Sequence, residues 1–122
     1  MDVHEARNLA NGLIEKHLNN DWRFAYDDST SRFGACRFGS RMIILSMHLT
    51  EANQIDQVLD TILHEIAHAK AGPKKPYHGT MWGYWCGVLG CKPQRCYSTK
   101  EVVAARKPEK ITAHSLEFPE DD

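Results

Sequence analysis

The chain has 122 residues, of which 42% are hydrophobic and 25% are charged. This length and composition are typical of one globular domain, so a disordered chain, a collagen-like fibre and a coiled coil are excluded. The longest apolar run, residues 42–45, has four residues, whereas a membrane span needs roughly 18, and no membrane partner is expected. Residues 1–5 are acidic and do not resemble a secretory signal. We therefore expect an intracellular protein, cytoplasmic or associated with the nucleoid or nucleus.

The formal net charge of −1 hides an uneven distribution. Residues 1–68 carry ten acidic and six basic residues, residues 69–110 carry nine basic and two acidic residues, and the last twelve residues carry four acidic ones. The basic segment predicts contacts with nucleic-acid phosphates or an acidic partner, and a set of solvated loops is the alternative. Candidate nucleic-acid contacts within residues 70–110 are Lys74, Lys75, Lys92 and Arg95.

The first half of the chain predicts one helix followed by three strands. Apolar residues at steps of three and four predict an amphipathic helix over residues 2–19. Residues 22–27 alternate aromatic side chains with others, as in a half-buried strand. Residues 32–38 and 41–46 are two further predicted strands, and Gly39-Ser40 between them suits a tight hairpin. The strand over residues 41–46 is also a candidate for pairing with an extended substrate as an added strand.

The second half predicts two helices and a tail. Residues 54–71 hold the strongest helical pattern, a loop rich in Gly and Pro follows at residues 72–76, and a short helix is predicted over residues 80–89. This order predicts an α+β fold with an N-terminal helix, a small three-stranded antiparallel sheet, a long helix and a short helix. We expect one domain over residues 1–97 and a tail, residues 98–122, that is partly ordered or packs along the domain.

The long helix contains an H-E-x-x-H motif, which reads His-Glu-Ile-Ala-His over residues 64–68. Histidines four residues apart lie one turn above each other on the same helical face, so His64 and His68 can reach one metal ion. Glu65 is rotated from His64 by about 100° and lies beside such an ion.

The apolar residues of this helix lie on a different face from the histidines. At about 100° per residue, the apolar residues fall within roughly 60° of Ile55, whereas His64 and His68 fall near 180° and 220°. The members of this apolar stripe are Ile55, Val58, Leu59, Ile62 and Ile66. The wheel therefore predicts that both histidines lie opposite the core.

A third metal ligand is expected, because catalytic zinc usually has three protein ligands and one open position. The candidate is His78, ten residues beyond His68, since the intervening glycine and prolines let the chain turn back. The remaining histidines, which lack comparable context, are His4, His17, His48 and His114. Of these, His48 stays open as an alternative ligand, and His17 is more typical of a structural residue.

The four cysteines form no C-x-x-C pair, so no zinc ribbon is predicted. Cys86, Cys91 and Cys96 follow one another at five-residue steps, and together with Cys36 they are candidates for a second metal site. The alternative is that they are small buried hydrophobic residues in a reducing compartment.

Several segments together resemble the SprT-like zinc metalloprotease domain (Spartan/SprT-type). They are Thr-Ile-Leu-His-Glu-Ile-Ala-His-Ala over residues 61–69, then His78-Gly79 and Trp82. Upstream, residues 32–36 and 43–46 with Leu49 resemble the strands that precede the active-site helix of that family. The resemblance covers roughly residues 5–97. The H-E-x-x-H motif occurs in many metallopeptidases, whereas the later H-G-x-x-W and the G-x-C strand are more specific.

The resemblance implies a zincin-type active-site helix with one catalytic Zn2+ on His64, His68 and His78, and a catalytic Glu65. It implies a hydrolase that acts on protein or peptide substrates. Spartan cleaves proteins crosslinked to DNA, which makes nucleic-acid-associated proteins a candidate substrate class, but this chain lacks Spartan's long extensions and the family's frequent zinc ribbon. Peptide deformylases share H-E-x-x-H but have a cysteine ligand in an E-G-C-L-S segment, which this sequence lacks.

The expected reaction is peptide hydrolysis by a zinc-activated water, with Glu65 as general base and later as proton donor to the departing amine. Candidates for oxyanion or substrate contacts are Tyr77, Tyr84 and Arg95, whereas Trp82 and Trp85 are more typical of core packing. The alternative function is a non-catalytic, zinc-stabilised module that binds nucleic acid or protein. The glutamate between the two histidines disfavours it, because a structural zinc site does not need that residue.

Overall fold

The structure, a computed structural model, describes residues 1–74 and 78–92. Its elements are α1 (Val3–His17), β1 (Arg23–Asp27), β2 (Gly34–Arg37), β3 (Met42–Ser46), α2 (Met47–Ala52), α3 (Ile55–Ala71) and α4 (Thr80–Leu89). The α+β class and the N-terminal helix are confirmed. Within the described ranges no helix is long and apolar enough to cross a membrane. The predicted tail, residues 98–122, lies outside them.

Helix α1 begins where the sequence supplies a cap. The Asp2 side chain accepts hydrogen bonds from the backbone N–H groups of His4 (2.8 Å) and Glu5 (3.0 Å), which satisfies donors that the first helical turn leaves unpaired. The helix is tied to the sheet by Tyr26, whose buried side chain donates its hydroxyl hydrogen to the Val3 carbonyl at 2.6 Å. Helix α1 is therefore held against the sheet by a hydrogen bond as well as by apolar packing.

The sheet is mixed, so the predicted antiparallel arrangement is wrong. Its strand order is β1-β3-β2, with β3 parallel to β1 and antiparallel to β2. The β2–β3 hairpin turns at the predicted Gly39-Ser40, but β1 pairs with the edge of β3 opposite to the one that pairs with β2. The reason lies in β3, where Ile43, Ile44 and Leu45 are fully buried, because a continuous apolar run is typical of a central strand covered on both faces.

This strand order changes which strand of the sheet is available to pair with an extended substrate. Because β3 is hydrogen-bonded on both sides, the expectation that residues 41–46 pair with a substrate strand is wrong. Within the described part of the chain, β2 pairs with β3 alone and forms one edge of the sheet.

A short helix, α2, follows β3 and was not predicted. The Ser46 side chain accepts a hydrogen bond from the Leu49 N–H at 3.0 Å and caps this helix. Six residues are too few to give a helical periodicity, so only the cap signals the helix in the sequence. Helix α3 follows almost at once, and its predicted span, residues 54–71, agrees with the structure within one residue.

Helix α3 lies between two layers. Its first face enters the core shared with α1 and the sheet through Val58, Ile62 and Ile66. On its second face, a smaller cluster comprises Leu63, Ala67, Trp82, Cys86 and Cys91. Because α4 covers this second face, His64 is only 7% exposed. The expectation that both histidines lie opposite the core is therefore wrong for His64, which faces a second apolar layer.

Candidate metal centre

The H-E-x-x-H residues lie in the second half of α3. His64 is buried, and Glu65 and His68 are half-buried. Gly72 ends the helix with a φ of 92°, a left-handed conformation that favours glycine, and its N–H bonds to the His68 carbonyl at 3.0 Å. His78 precedes α4, as predicted, and is separated from the first residue of α4 by Gly79.

His68 and His78 are brought together. Their Nε2 atoms are 3.1 Å apart and their ring centroids are 4.6 Å apart, with an angle of 79° between the ring planes. Two imidazole nitrogens bound to one tetrahedral zinc, at about 2.0–2.1 Å each, are about 3.3 Å apart. The observed separation therefore fits two ligands of one zinc ion.

The pKa of His68 is low enough for metal binding. Burial lowers it to about 4 from an ordinary value of 6.5, with smaller contributions from the neighbouring His78 and His64. The imidazole of His68 is therefore neutral at pH 7, and a neutral imidazole is the form that binds a metal.

Trp82 on α4 lies against all three histidines. Its ring is stacked with that of His68 at 5.5 Å and makes edge contacts with His78 at 4.8 Å and His64 at 5.5 Å. Its indole Nε1–H donates to the His64 carbonyl at 3.4 Å. Trp82 is buried and packs in the second cluster, so it also has the core role expected of it.

His64 is oriented differently from the other two histidines. Its Nε2 lies 3.3 Å from Asp60 Oδ2 and is hydrogen-bonded to the backbone carbonyl of Lys92. Lys92 in turn donates its N–H to Asp60 Oδ1 at 2.9 Å. The structure thus brings together two of the three predicted ligand nitrogens and directs Nε2 of His64 to Asp60 and the chain after α4.

Glu65 faces β2. A Cβ atom placed on Gly34 would lie 3.1 Å from Glu65 Cγ, 3.2 Å from its Oε2 and 2.9 Å from Thr61 Cγ2. Only glycine allows the β2 backbone to approach α3 so closely. Burial raises the pKa of Glu65 from 4.5 to about 8, partly opposed by the positive charge of Arg32. Arg32 is held by an ion pair with Asp27 at 2.5 Å.

A second group of possible metal ligands is present beside the first. His64, Cys86 and Cys91 are all buried, and each offers a donor atom within 4.8 Å of the other two. Sequence reasoning missed this combination, because it paired the cysteines with Cys36, which lies on β2. The signal that was overlooked is Gly90 directly after the predicted helix, since a left-handed glycine cap folds the next residue back. Cys96 lies outside the described residues.

The remaining candidates are distributed as follows. Tyr84 is 60% exposed on α4 and its ring contacts that of Trp85 at 5.2 Å. Lys74 and Lys92 are exposed, and His48 is half-buried on α2. The residues that fall outside the described ranges are Lys75, Tyr77 and Arg95.

Comparison with known protein families gives a match over most of the chain. The model of the SprT-like family matches residues 3–102, which is most of the chain. Neither the curated proteins nor the solved structures contain a match.

Proposed function

The chain belongs to the SprT-like family, and on this premise we propose that it is a zinc-dependent metallopeptidase. The observation that carries the proposal is the 3.1 Å approach of His68 Nε2 and His78 Nε2 across the chain reversal between α3 and α4. His68 and His78 are ten positions apart in the sequence, yet their Nε2 atoms lie at a distance suited to two ligands of one tetrahedral ion. His64 would be the third ligand, once its ring turns from Lys92 and Asp60 toward this pair.

Zinc, when bound, supplies a Lewis acid that makes water a better nucleophile near neutral pH and polarises a peptide carbonyl. The chain's own contribution is Glu65, which holds and moves the proton. A general base works best when its pKa is near the working pH, and burial raises the pKa of Glu65 to about 8 in the metal-free chain. Its carboxylate accepts a proton from water and later gives it to the departing amine.

The edge strand β2 supports a protein or peptide substrate. Gly34, the first residue of β2, lies directly against Glu65. An extended peptide that pairs with β2 as an added strand passes close to this carboxylate. The backbone of such a substrate is recognised through main-chain hydrogen bonds, which allows many sequences to be cleaved.

The basic segment extends the proposal to proteins associated with nucleic acid. Residues 69–110 hold nine basic and two acidic residues, and within it Lys74 and Lys92 are exposed near the two ends of the α3–α4 pair. Phosphate contacts of this kind weaken steeply with salt. Binding of duplex and single-stranded DNA, measured at two salt concentrations, tests this part separately; affinity that is unchanged by salt would contradict it.

The experiment that tests the catalytic proposal compares three forms of the chain on a denatured protein substrate, with and without DNA. Wild type should cleave the substrate, and Glu65→Gln should keep zinc, measured by elemental analysis, but lose cleavage. Glu15→Gln is the matched control, because Glu15 is exposed on α1, and it should behave as wild type. Equal inertness of wild type and Glu65→Gln, with zinc bound, would refute the peptidase and favour the non-catalytic, zinc-stabilised binding module.

A further inference from the structure

The buried group of His64, Cys86 and Cys91 contains two thiols that the proposed reaction does not use. Its three donors come from different parts of the chain: α3, the last turn of α4, and the residue after the Gly90 cap. We propose that this group is a second metal site, specific for a thiophilic divalent ion such as zinc, bound by two thiolates and one imidazole.

The distances suit such an ion. The donor atoms lie within 4.8 Å of one another. A tetrahedral zinc with Zn–S bonds of about 2.3 Å and a Zn–N bond of about 2.0 Å holds its donors about 3.5–3.8 Å apart. Metal binding therefore requires the donors to approach one another by about 1.3 Å at most.

The backbone at the end of α4 fixes the two thiols on the same side. Gly90 is left-handed, with φ 83° and ψ 17°. The N–H groups of Gly90 and Cys91 both bond to the Cys86 carbonyl, at 2.9 and 3.0 Å. Because the chain reverses at Gly90, Cys91 returns beside Cys86 and both pack in the cluster against α3.

The His64 ring is supported as in many metal sites. A histidine that binds a metal usually donates its second ring N–H to a carboxylate or a backbone carbonyl, which fixes the tautomer and the ring orientation. Both kinds of acceptor are present at His64 Nε2, namely Asp60 Oδ2 at 3.3 Å and the Lys92 carbonyl. Asp60 also accepts the Lys92 N–H at 2.9 Å, so it positions the ring and the segment that carries Cys91.

The charges of the three proposed ligands allow a divalent metal ion to be buried at this site. Two thiolates and one neutral imidazole carry a charge of −2, which cancels that of a divalent cation, and the two thiol protons leave to solvent on binding. The ion and its three ligands together carry no net charge, which avoids the large desolvation penalty of an isolated ion. Soft sulfur donors select zinc and related ions over magnesium or calcium.

His64 belongs to both donor sets, which links this site to the peptidase centre. If the proposed function is right, a zinc ion held by His64 and the two cysteines withdraws His64 from His68 and His78. The thiol site then competes with the catalytic one, and the chain has a metal-bound form that is not the active form.

Cobalt(II) titration of the full-length, reduced chain tests the site directly, because a thiolate bound to cobalt gives a charge-transfer absorption in the near ultraviolet that a histidine-only site lacks. Wild type should show this band. Cys86→Ser with Cys91→Ser should lose it, and His64→Ala should weaken cobalt binding at least tenfold. Cys36→Ser is the matched thiol control and should keep the band. Absence of the band in wild type, or its persistence in the double serine variant, would overturn the proposal.

Two further measurements keep the result independent of folding and of peptidase activity. In wild type, zinc should slow alkylation of Cys86 and Cys91 at least tenfold, as measured by peptide mass mapping; equal labelling with and without zinc would overturn the site. His68→Ala should keep the cobalt band while losing cleavage. A chain that cleaves its substrate in a Glu65-dependent way but lacks the band refutes the thiol site alone, and the reverse result refutes the peptidase alone.

Discussion

Replacing Glu65 by glutamine should stabilise the metal-free protein, although the same change is expected to abolish catalysis. Glu65 lies between α3 and the backbone of β2, where a Cβ on Gly34 would approach its Oε2 to 3.2 Å. In this place burial favours the protonated carboxyl and raises its pKa from 4.5 to about 8. Glutamine has nearly the same shape and carries no charge, so it avoids the cost of burying a carboxylate.

The magnitude and its pH dependence follow from proton linkage. Between pH 4.5 and 8 the folded wild type keeps a proton that the unfolded chain has lost, so its stability falls as the pH rises through this window. The accumulated loss is about 3 kcal/mol at pH 7 and about 5 kcal/mol above pH 8. Below pH 4.5 the carboxyl is protonated in both states, and wild type and variant should differ little.

The assay is urea unfolding of both chains in the presence of a strong chelator at pH 4, 7 and 8.5. Titration of His68, whose pKa is lowered to about 4, raises the stability of both chains between pH 4 and 6.5 and cancels in the difference. Glu15→Gln is the control and should change stability by less than about 0.5 kcal/mol at every pH. A Glu65→Gln gain below about 1 kcal/mol at pH 8.5, or one that does not grow with pH, would refute this account of Glu65.

Substitutions at Gly34, Tyr26 and Trp82 test the packing of the fold and of the candidate centre, with Gly12→Ala as a control. Gly34→Ala should destabilise the chain by about 1–3 kcal/mol, because its Cβ would come within 2.9 Å of Thr61 Cγ2. Gly12→Ala on α1, whose Cβ would meet nothing within 4 Å, should instead stabilise the chain by about 0.5–1 kcal/mol. Equal effects of the two substitutions in urea unfolding would contradict the close approach of β2 to α3. Tyr26→Phe should cost about 1–3 kcal/mol, because it leaves a backbone carbonyl of α1 without the 2.6 Å hydrogen bond it accepts; an unchanged unfolding midpoint would count against it. Trp82→Phe should weaken zinc binding about tenfold in a competition titration with a chelator, because the indole N–H that bonds to α3 at 3.4 Å is lost; unaltered affinity would show that Trp82 only packs.

The three longer helices, α1, α3 and α4, could be predicted from the sequence because each leaves a local pattern, whereas the six residues of α2 do not. The periodicity over residues 54–71 predicted α3 within one residue, and the helix predicted after the loop rich in Gly and Pro has the observed bounds of α4. The order of strands in the sheet is not local. The sequence predicted a purely antiparallel sheet, whereas the fully buried run of β3 lies in the middle, parallel to β1 and antiparallel to β2. That run was visible in the sequence, and its length is the signal that could have corrected the topology.

The candidate site likewise has contacts that residue spacing predicts and contacts that depend on the tertiary fold. Spacing predicted that His64 and His68 share a face and that His78 returns from a loop, and the structure brings His68 and His78 together. Helical spacing also allows Asp60, four residues before His64 on α3, to reach the His64 ring. Spacing could not predict that Cys91 and the Lys92 backbone reach His64, because they meet it only after α4 folds onto α3 and Gly90 reverses the chain. The burial of Glu65 likewise depends on Gly34, which is 31 positions away in the sequence.

His64 and Glu65 are neighbours in sequence, yet the helical step of about 100° directs them to different layers. Glu65 faces the β2 side and packs close to Gly34, where burial raises its pKa and the charge of Arg32 partly lowers it. His64 faces α4, where Trp82, the two thiols and the chain after Gly90 surround it. Changes on the sheet side should therefore alter the proton affinity of Glu65 without altering metal binding, and changes on the α4 side should do the opposite. The motif thus joins two different environments, so substitutions on α4 should change the proposed metal chemistry while leaving the proposed general base, Glu65, unchanged.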